Sequence, residues 1–219
     1  MKPCRLALVL AALLSFACAS GPTFTPATGD QIRVLSEEWG RYREGVLRRE
    51  TSELFYDARV LRNGFRTTAT LAVRDDPGRS LSLRAEGPLG RPLVRADWDG
   101  AAGAEPSGRE AARFGESIGV PLSAKSLSLL LFGLPAESPP EQLGFWSGGA
   151  RYSWEEGNLF CDFDLEARKA QRVVAKRGGR KVEINYLAWQ GDLPSRIQVK
   201  VSLGGTIDLE LCSEFHESP

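Results

Sequence analysis

From Ser52 onward the apolar residues of this chain fall on every second position, and that period decides most of what the chain can become. Leu54, Tyr56, Ala58 and Val60 alternate with polar neighbours; Phe65, Ala69, Leu71 and Val73 follow the turn signal RNG. Leu81, Leu83 and Ala85 come after DDPG, and Val94, Ala96 and Trp98 after GPLG. Period two gives each strand one apolar and one polar face, and short turns force neighbouring strands to run antiparallel. These four runs predict a meander with one face built to meet something apolar. Alternation resumes in GARYSWEEG, LFCDFDLE, AQRVVAKRG, KVEINYLAW, SRIQVKVSL and TIDLELCSEF, so about ten short strands are expected in all.

Helical spacing occurs in three places. Ile32, Leu35, Trp39, Tyr42 and Val46 recur every three or four residues, which predicts an amphipathic helix over Asp30 to Arg49 packed on a sheet. A short helix is expected over Arg109 to Ile118, before the break Gly119-Val120-Pro121. Another is expected over Ser123 to Phe132, ended by Gly133 and Pro135. The run LSLLLFGL is apolar on nearly every side, so the last helix must be buried on several sides or cover an apolar cavity. Three helices beside an antiparallel sheet make the expected class α+β.

The first twenty residues set the compartment. Lys2 and Arg5 precede an apolar run, Leu6 to Ala17, too short to span a bilayer and typical of a secretory signal. Ala17-Cys18 resembles the end of a bacterial lipobox, with Cys18 lipidated as the first mature residue, although Leu14 stands one place early. Ala17-Cys18-Ala19 also reads as a plain cleavage site, leaving a soluble periplasmic protein. The expected organisation is a signal peptide over residues 1–17, a lipidated polar tether over 18–29, one domain over 30–216 and a tail over 217–219. Cys161 and Cys212 remain in strand-like segments of an exported chain, where a disulfide between them and two buried free thiols are both open readings.

The chemistry of the chain excludes more than it offers. Its 28 basic and 28 acidic residues are interspersed, which argues against nucleic-acid binding, and losing Lys2 and Arg5 with the signal leaves 26 against 28. His216 is the only histidine and stands near the C-terminus, as a solvated tail residue; this removes most nucleophilic triads and zinc sites. No phosphate-binding glycine loop is present. Asp162 with Asp164 and Glu155 with Glu156 read as solvated surface charge beside turns rather than as acid and base pairs. No enzyme activity, cofactor or metal is expected.

One turn carries a residue out of place. In LSLRAEGPLGRPLVRADWDG, Pro88 presets the second turn position and Gly90 suits the fourth, yet Leu89 sits where polar residues usually do. That segment, ESIGVPLSAKSLSLLLFGLP and KVEINYLAWQGDLPSRIQVKVSLGGTIDLEL occur in an order that resembles the LolB family of bacterial outer-membrane lipoprotein receptors. They are similar, more loosely, to relatives with the fold of the periplasmic lipoprotein chaperone LolA. The similarity runs from about Glu53 to Phe215.

The resemblance implies a strongly curved antiparallel sheet, an incomplete β-barrel, closed by helices around an apolar cavity for lipoprotein acyl chains. It implies an anchor on the periplasmic face of the outer membrane through Cys18, with acylated lipoproteins and a LolA-like chaperone as partners. Pro88, Leu89 and Gly90 match the family's protruding loop, which helps insert cargo into the membrane. Burying a leucine is worth about 2 kcal/mol against about 0.8 for each acyl CH2, so Leu89 would serve contact during transfer rather than anchorage. Candidates for the cavity wall, placed by period on apolar faces, are Tyr56, Phe65, Leu71, Leu83, Val94, Trp98, Leu129, Leu130, Phe132, Ile184, Tyr186, Ile197 and Val199; each equally suits core packing. Carriage of another lipid or glycolipid, or a structural role in outer-membrane assembly, are the alternative expectations.

Overall fold

The computed structural model describes residues 24–62, 64–77, 79–99, 124–146, 148–202 and 205–216. The signal, Cys18, the expected helix Arg109 to Ile118 and the tail 217–219 lie outside the described residues.

Among these residues all the strands join one antiparallel sheet. The first stretch is β1 (Thr25–Pro26), then helix α1 (Asp30–Leu47) and the meander β2 (Ser52–Arg62), β3 (Phe65–Asp76), β4 (Ser80–Glu86) and β5 (Pro92–Asp99). Helix α2 (Ala124–Leu131) follows, then β6 (Gln142–Trp146), β7 (Gly149–Trp154), β8 (Leu159–Asp164), β9 (Lys169–Arg177), β10 (Arg180–Gln190), β11 (Leu193–Val201) and β12 (Gly205–His216). The order across the sheet is β1-β6-β7-β8-β9-β10-β11-β12-β2-β3-β4-β5. Only the pairing of β12 with β2 joins the C-terminal strands to the N-terminal meander, and β1 and β5 stand at its unpaired ends, so the sheet is not closed.

Two strands, β1 and β6, lie outside the ten expected, and β12 runs one residue past its expected end. Residues 24–29 are not a loose tether: Thr25 and Pro26 pair with Phe145 and Gly144, and the Ala27 amide donates to the Leu143 carbonyl at 2.8 Å. A Cβ at Gly144 would overlap the Phe24 ring, so the glycine is what lets β1 lie there. At the other end β12 runs through His216, which pairs with Ser52 and so belongs to the sheet rather than to a tail.

The sheet wraps around its core. Helix α2 is about 12 Å long at 1.5 Å per residue, yet it packs on β4 and, through Gly133 just beyond its end, meets Ala170 of β9. Those strands are six places apart in the order, roughly 29 Å on a flat sheet at 4.8 Å per strand. Only a concave sheet brings both to one short helix. Leu129, Leu130, Leu131, Phe132 and Leu134 are all buried, as the all-round apolar pattern required. On α1 the buried residues are Leu35, Trp39 and Val46, whereas Ile32, in the first turn of the same stripe, is exposed. Trp39 packs among Tyr152, Trp154 and Tyr42, with ring centroids 4.8, 5.1 and 5.9 Å away.

The two cysteines are free. Cys161 points into the core from β8, while Cys212 is exposed beside a register shift in β12. Three strands separate β8 from β12, so the disulfide reading is corrected: the thiols belong to distant strands and opposite environments.

Candidate functional site

The inner face of the sheet is apolar along the positions that period two predicts. Tyr56, Ile184, Tyr186 and Ile197 are buried in one hydrophobic cluster with Leu129, Leu130 and Phe132, and Leu71 and Val199 pack partly buried against it. Leu83 is also buried. The side chains of Val94 and Trp98 lie outside what the structure describes, although β5 pairs both residues with β4, to Ala85 and Leu81.

Phe65 does not belong with these residues. It shares their parity, since Arg62 and Phe65 pair at the end of β2 and β3, but it is 82% exposed. Strand β4 joins β3 only from Thr70 inward, so among the described residues no strand lies beside the last residues of β3, and Phe65 stands at the rim of the apolar face.

Three polar ties hold α2 in the concavity. The Tyr186 hydroxyl donates to the Leu130 carbonyl at 2.6 Å, and the Tyr42 hydroxyl donates to that of Phe132 at 2.7 Å. Both acceptors are carbonyls at or just beyond the C-terminal end of α2, where the regular i+4 amide partners run out. The helix stops in a Schellman turn: Leu134 N donates to Leu129 O at 3.0 Å and Gly133 N to Leu130 O at 3.1 Å, with Gly133 at φ +76°. A Cβ on Gly133 would lie 2.6 Å from Tyr42 Oη and 2.8 Å from Ala170 Cβ.

The third tie is a buried acid. Ser128 Oγ donates to Asp75 Oδ1 at 2.6 Å across 53 positions of chain, and both residues are fully buried. Asp75 Oδ2 has no hydrogen-bond partner. Burial raises the carboxyl from 3.8 to about 7; the Ser128 hydrogen bond opposes that rise and the neighbouring Asp76 charge adds to it. Sequence reasoning missed this pair, yet Asp75 continues the inward parity of Leu71 and Val73, which was a signal for burial.

Asp162 is also buried, so the expectation of solvated charge is corrected. It accepts from Arg151 Nε at 2.6 Å and from Arg172 Nη2 at 2.5 Å, and Arg151 lies 4.4 Å over the Phe160 ring. Asp164 accepts from the amides of Glu166 and Ala167, which makes it a turn cap. Neither faces a partner carboxylate as an acid-base pair would. Burial, with the Asp162 charge, pushes the Cys161 thiol well above its ordinary range, leaving it a poor nucleophile.

A separate cleft of about 350 Å³ lies between α1 and the β8–β9 turn. Its charged walls are tied in ion pairs, Glu38 with Arg41 at 2.7 Å, Glu38 with Arg168 at 3.6 Å, and Lys169 with Asp192. Such a lining does not suit an acyl chain.

The Leu89 turn is tight and strained. Gly90 N donates to Gly87 O at 3.2 Å and Gly87 N to Arg91 O at 2.8 Å, closing the loop over Pro88–Gly90. Leu89 has φ 65° and ψ 24°, a left-handed conformation that normally selects glycine or asparagine at this position, and its side chain is completely exposed at 105%. Neither feature helps the fold, and a residue held in such a state is a reason to look for function.

No known protein family model matches this chain, and no curated protein sequence matches it. Similar solved structures exist. A LolA superfamily protein from Nitrosomonas europaea superposes with a TM-score of 0.50 at 10% identity, covering 84% of this chain and 94% of its own. A DUF1329 family protein from Desulfovibrio piger gives 0.48 at 9% identity, with 83% and 91% covered. An outer membrane lipoprotein-sorting protein domain from Vibrio parahaemolyticus gives 0.45 at 9%, with 82% and 91% covered. The first of these likenesses shows that the chain has the LolA-like fold.

Proposed function

We propose that this protein receives acylated lipoproteins from a periplasmic chaperone and delivers them to the outer membrane, without catalysis. The observation that carries the reading is the pairing of an unclosed, apolar-faced sheet backed by α2 with an exposed leucine held in a strained turn at the edge of that face. The first feature suits reversible burial of acyl chains, each CH2 contributing about 0.8 kcal/mol. The second suits brief contact with a membrane during release. Lipidation of Cys18 would hold the protein at the membrane's periplasmic face, and no helix among the described residues is long and apolar enough to cross a bilayer. The fold shared with the Nitrosomonas europaea protein supports a carrier of this general kind.

Hand-over of label tests it. Chaperone loaded with a radiolabelled lipoprotein is mixed with this chain carrying Cys18→Ser, and the two proteins are then separated. Label on this chain is the expected result; label that stays on a competent chaperone refutes the receptor reading and turns the search to other bound lipids. Leu89→Glu is expected to leave hand-over intact and to stop delivery of the label into vesicles.

A further inference from the structure

The Leu89 turn has a neighbour. Thr70 pairs with Glu86 at the end of the β3–β4 ladder, whereas β2 and β3 continue pairing to Arg62 and Phe65. The β2–β3 hairpin therefore stands beyond the end of β4 by five residues of β3, about 17 Å at 3.3 to 3.4 Å per residue. Both hairpin tips lie at the same end of the sheet, because β2 and β4 run the same way toward them, about 10 Å apart laterally at two strand spacings. At this end Phe65 and Leu89 are bare, and Leu61 and Leu93 are 45% and 51% exposed.

Basic residues outnumber acidic ones at these tips, with Glu86 at the foot of the Leu89 turn. Residues 58–73 contain Arg59, Arg62 and Arg66 and no Asp or Glu; residues 87–96 contain Arg91 and Arg95 and no Asp or Glu. In a chain with no net charge this is a local segregation that the totals conceal. Two of the arginines meet carboxylates from outside these segments, Arg59 with Glu210 at 3.7 Å and Arg95 with Asp97 at 2.9 Å, and all four side chains are exposed. A tip that reaches past β4, flanked by β12 as far as Leu61 and carrying a bare aromatic ring with basic neighbours, matches the chemistry of a phospholipid surface, apolar beneath and anionic above.

We infer that the β2–β3 hairpin is a second membrane-contact prong beside the Leu89 turn, and that the two together dock this end of the open sheet on an anionic phospholipid bilayer. The inference deepens the proposed function, since it says where on the protein delivery takes place and which lipid charge favours it. Phe65 is then the lip over which an acyl chain leaves the apolar face.

Co-sedimentation with vesicles tests this, using the Cys18→Ser chain to remove the lipid anchor. Vesicles of phosphatidylcholine alone are compared with vesicles containing phosphatidylglycerol. Binding is expected to the anionic vesicles and to weaken with added salt. Phe65→Ser should weaken it about tenfold, and Arg66→Glu at least about fivefold, with thermal stability unchanged because both side chains are exposed. Equal binding to neutral and anionic vesicles, or variants that bind like the parent, overturns the inference. Hand-over from chaperone in the absence of vesicles separates it from the proposed function. If the parent chain takes no label but binds anionic vesicles through Phe65, the receptor reading falls and the prong stands. If Phe65→Ser blocks hand-over yet leaves vesicle binding unchanged, the hairpin serves a protein partner and the membrane assignment is wrong.

Discussion

Asp75 couples the position of α2 to pH, and the size of that coupling follows from its burial. Its carboxyl sits near 7 in the folded protein, against 3.8 when solvated, and it holds Ser128 at 2.6 Å. Because the folded value is the higher one, the stabilisation from keeping the proton is complete below about pH 4 and is lost as pH rises through about 7. About three pH units at roughly 1.4 kcal/mol each make this about 4 kcal/mol. Asp75→Asn keeps the shape and a carbonyl acceptor for Ser128 while removing the titration. Urea unfolding followed by tryptophan fluorescence, from about pH 4 to about pH 8, gives the stability difference between variant and parent at each pH. That difference should move by about 4 kcal/mol in favour of the variant, mostly below about pH 7, and then level off. Asp97, Glu183 and Asp192, whose values are lowered, act with the opposite sign at more acid pH and are common to both proteins. A difference that stays constant within about 1 kcal/mol, or favours the parent as pH rises, would refute the reasoning.

Three other substitutions have definite expected outcomes. Leu89→Gly relieves a left-handed φ and should raise the unfolding free energy by about 1 kcal/mol while lowering delivery of cargo to vesicles; a loss of stability would show that the turn is not strained. Gly133→Ala adds both a strained φ and overlap with Tyr42 Oη and Ala170, so thermal melting should show destabilisation of more than about 1 kcal/mol, with faster amide exchange over α2. Asp162→Ala leaves Arg151 and Arg172 together in a half-buried site and should cost about 3–5 kcal/mol in urea unfolding; a cost below about 1 would mean that water already solvates the triad.

The parts of the fold that were readable share one property: their causes are local. Alternation marked the strands of the meander, and the positions of RNG, DDPG and GPLG marked the turns between them. The stripe from Leu35 to Val46 and the stop at Gly133 marked the two described helices, which run over Asp30–Leu47 and Ala124–Leu131. β1 escaped notice because two residues, Thr25 and Pro26, are too few to show a period, and their pairing depends on the absence of a side chain at Gly144.

The candidate site was readable only as a set of faces. Tyr56 and Phe65 fall on the same face by parity, but parity is a property of one strand, whereas burial depends on what arrives to cover it. β4 ends at Glu86, and so Tyr56 is buried and Phe65 is bare. Cys161 and Cys212 looked equivalent in their strands until the order of the sheet placed β9, β10 and β11 between them. Asp162 looked like one of two solvated carboxylates until Arg151 and Arg172, on the strands either side of it, closed over it.

Sequence by itself determined an antiparallel α+β chain with one apolar face, an apolar helix in need of cover and a leucine at a turn, because period, turn residues and helix stops act within a few residues of their cause. Tertiary structure alone decided that β12 joins β2, that Ser128 meets Asp75, and that five arginines and two bare hydrophobes share one end of the sheet. Those are meetings of segments far apart in the chain, and no local free energy distinguishes the partner that arrives from the many that do not.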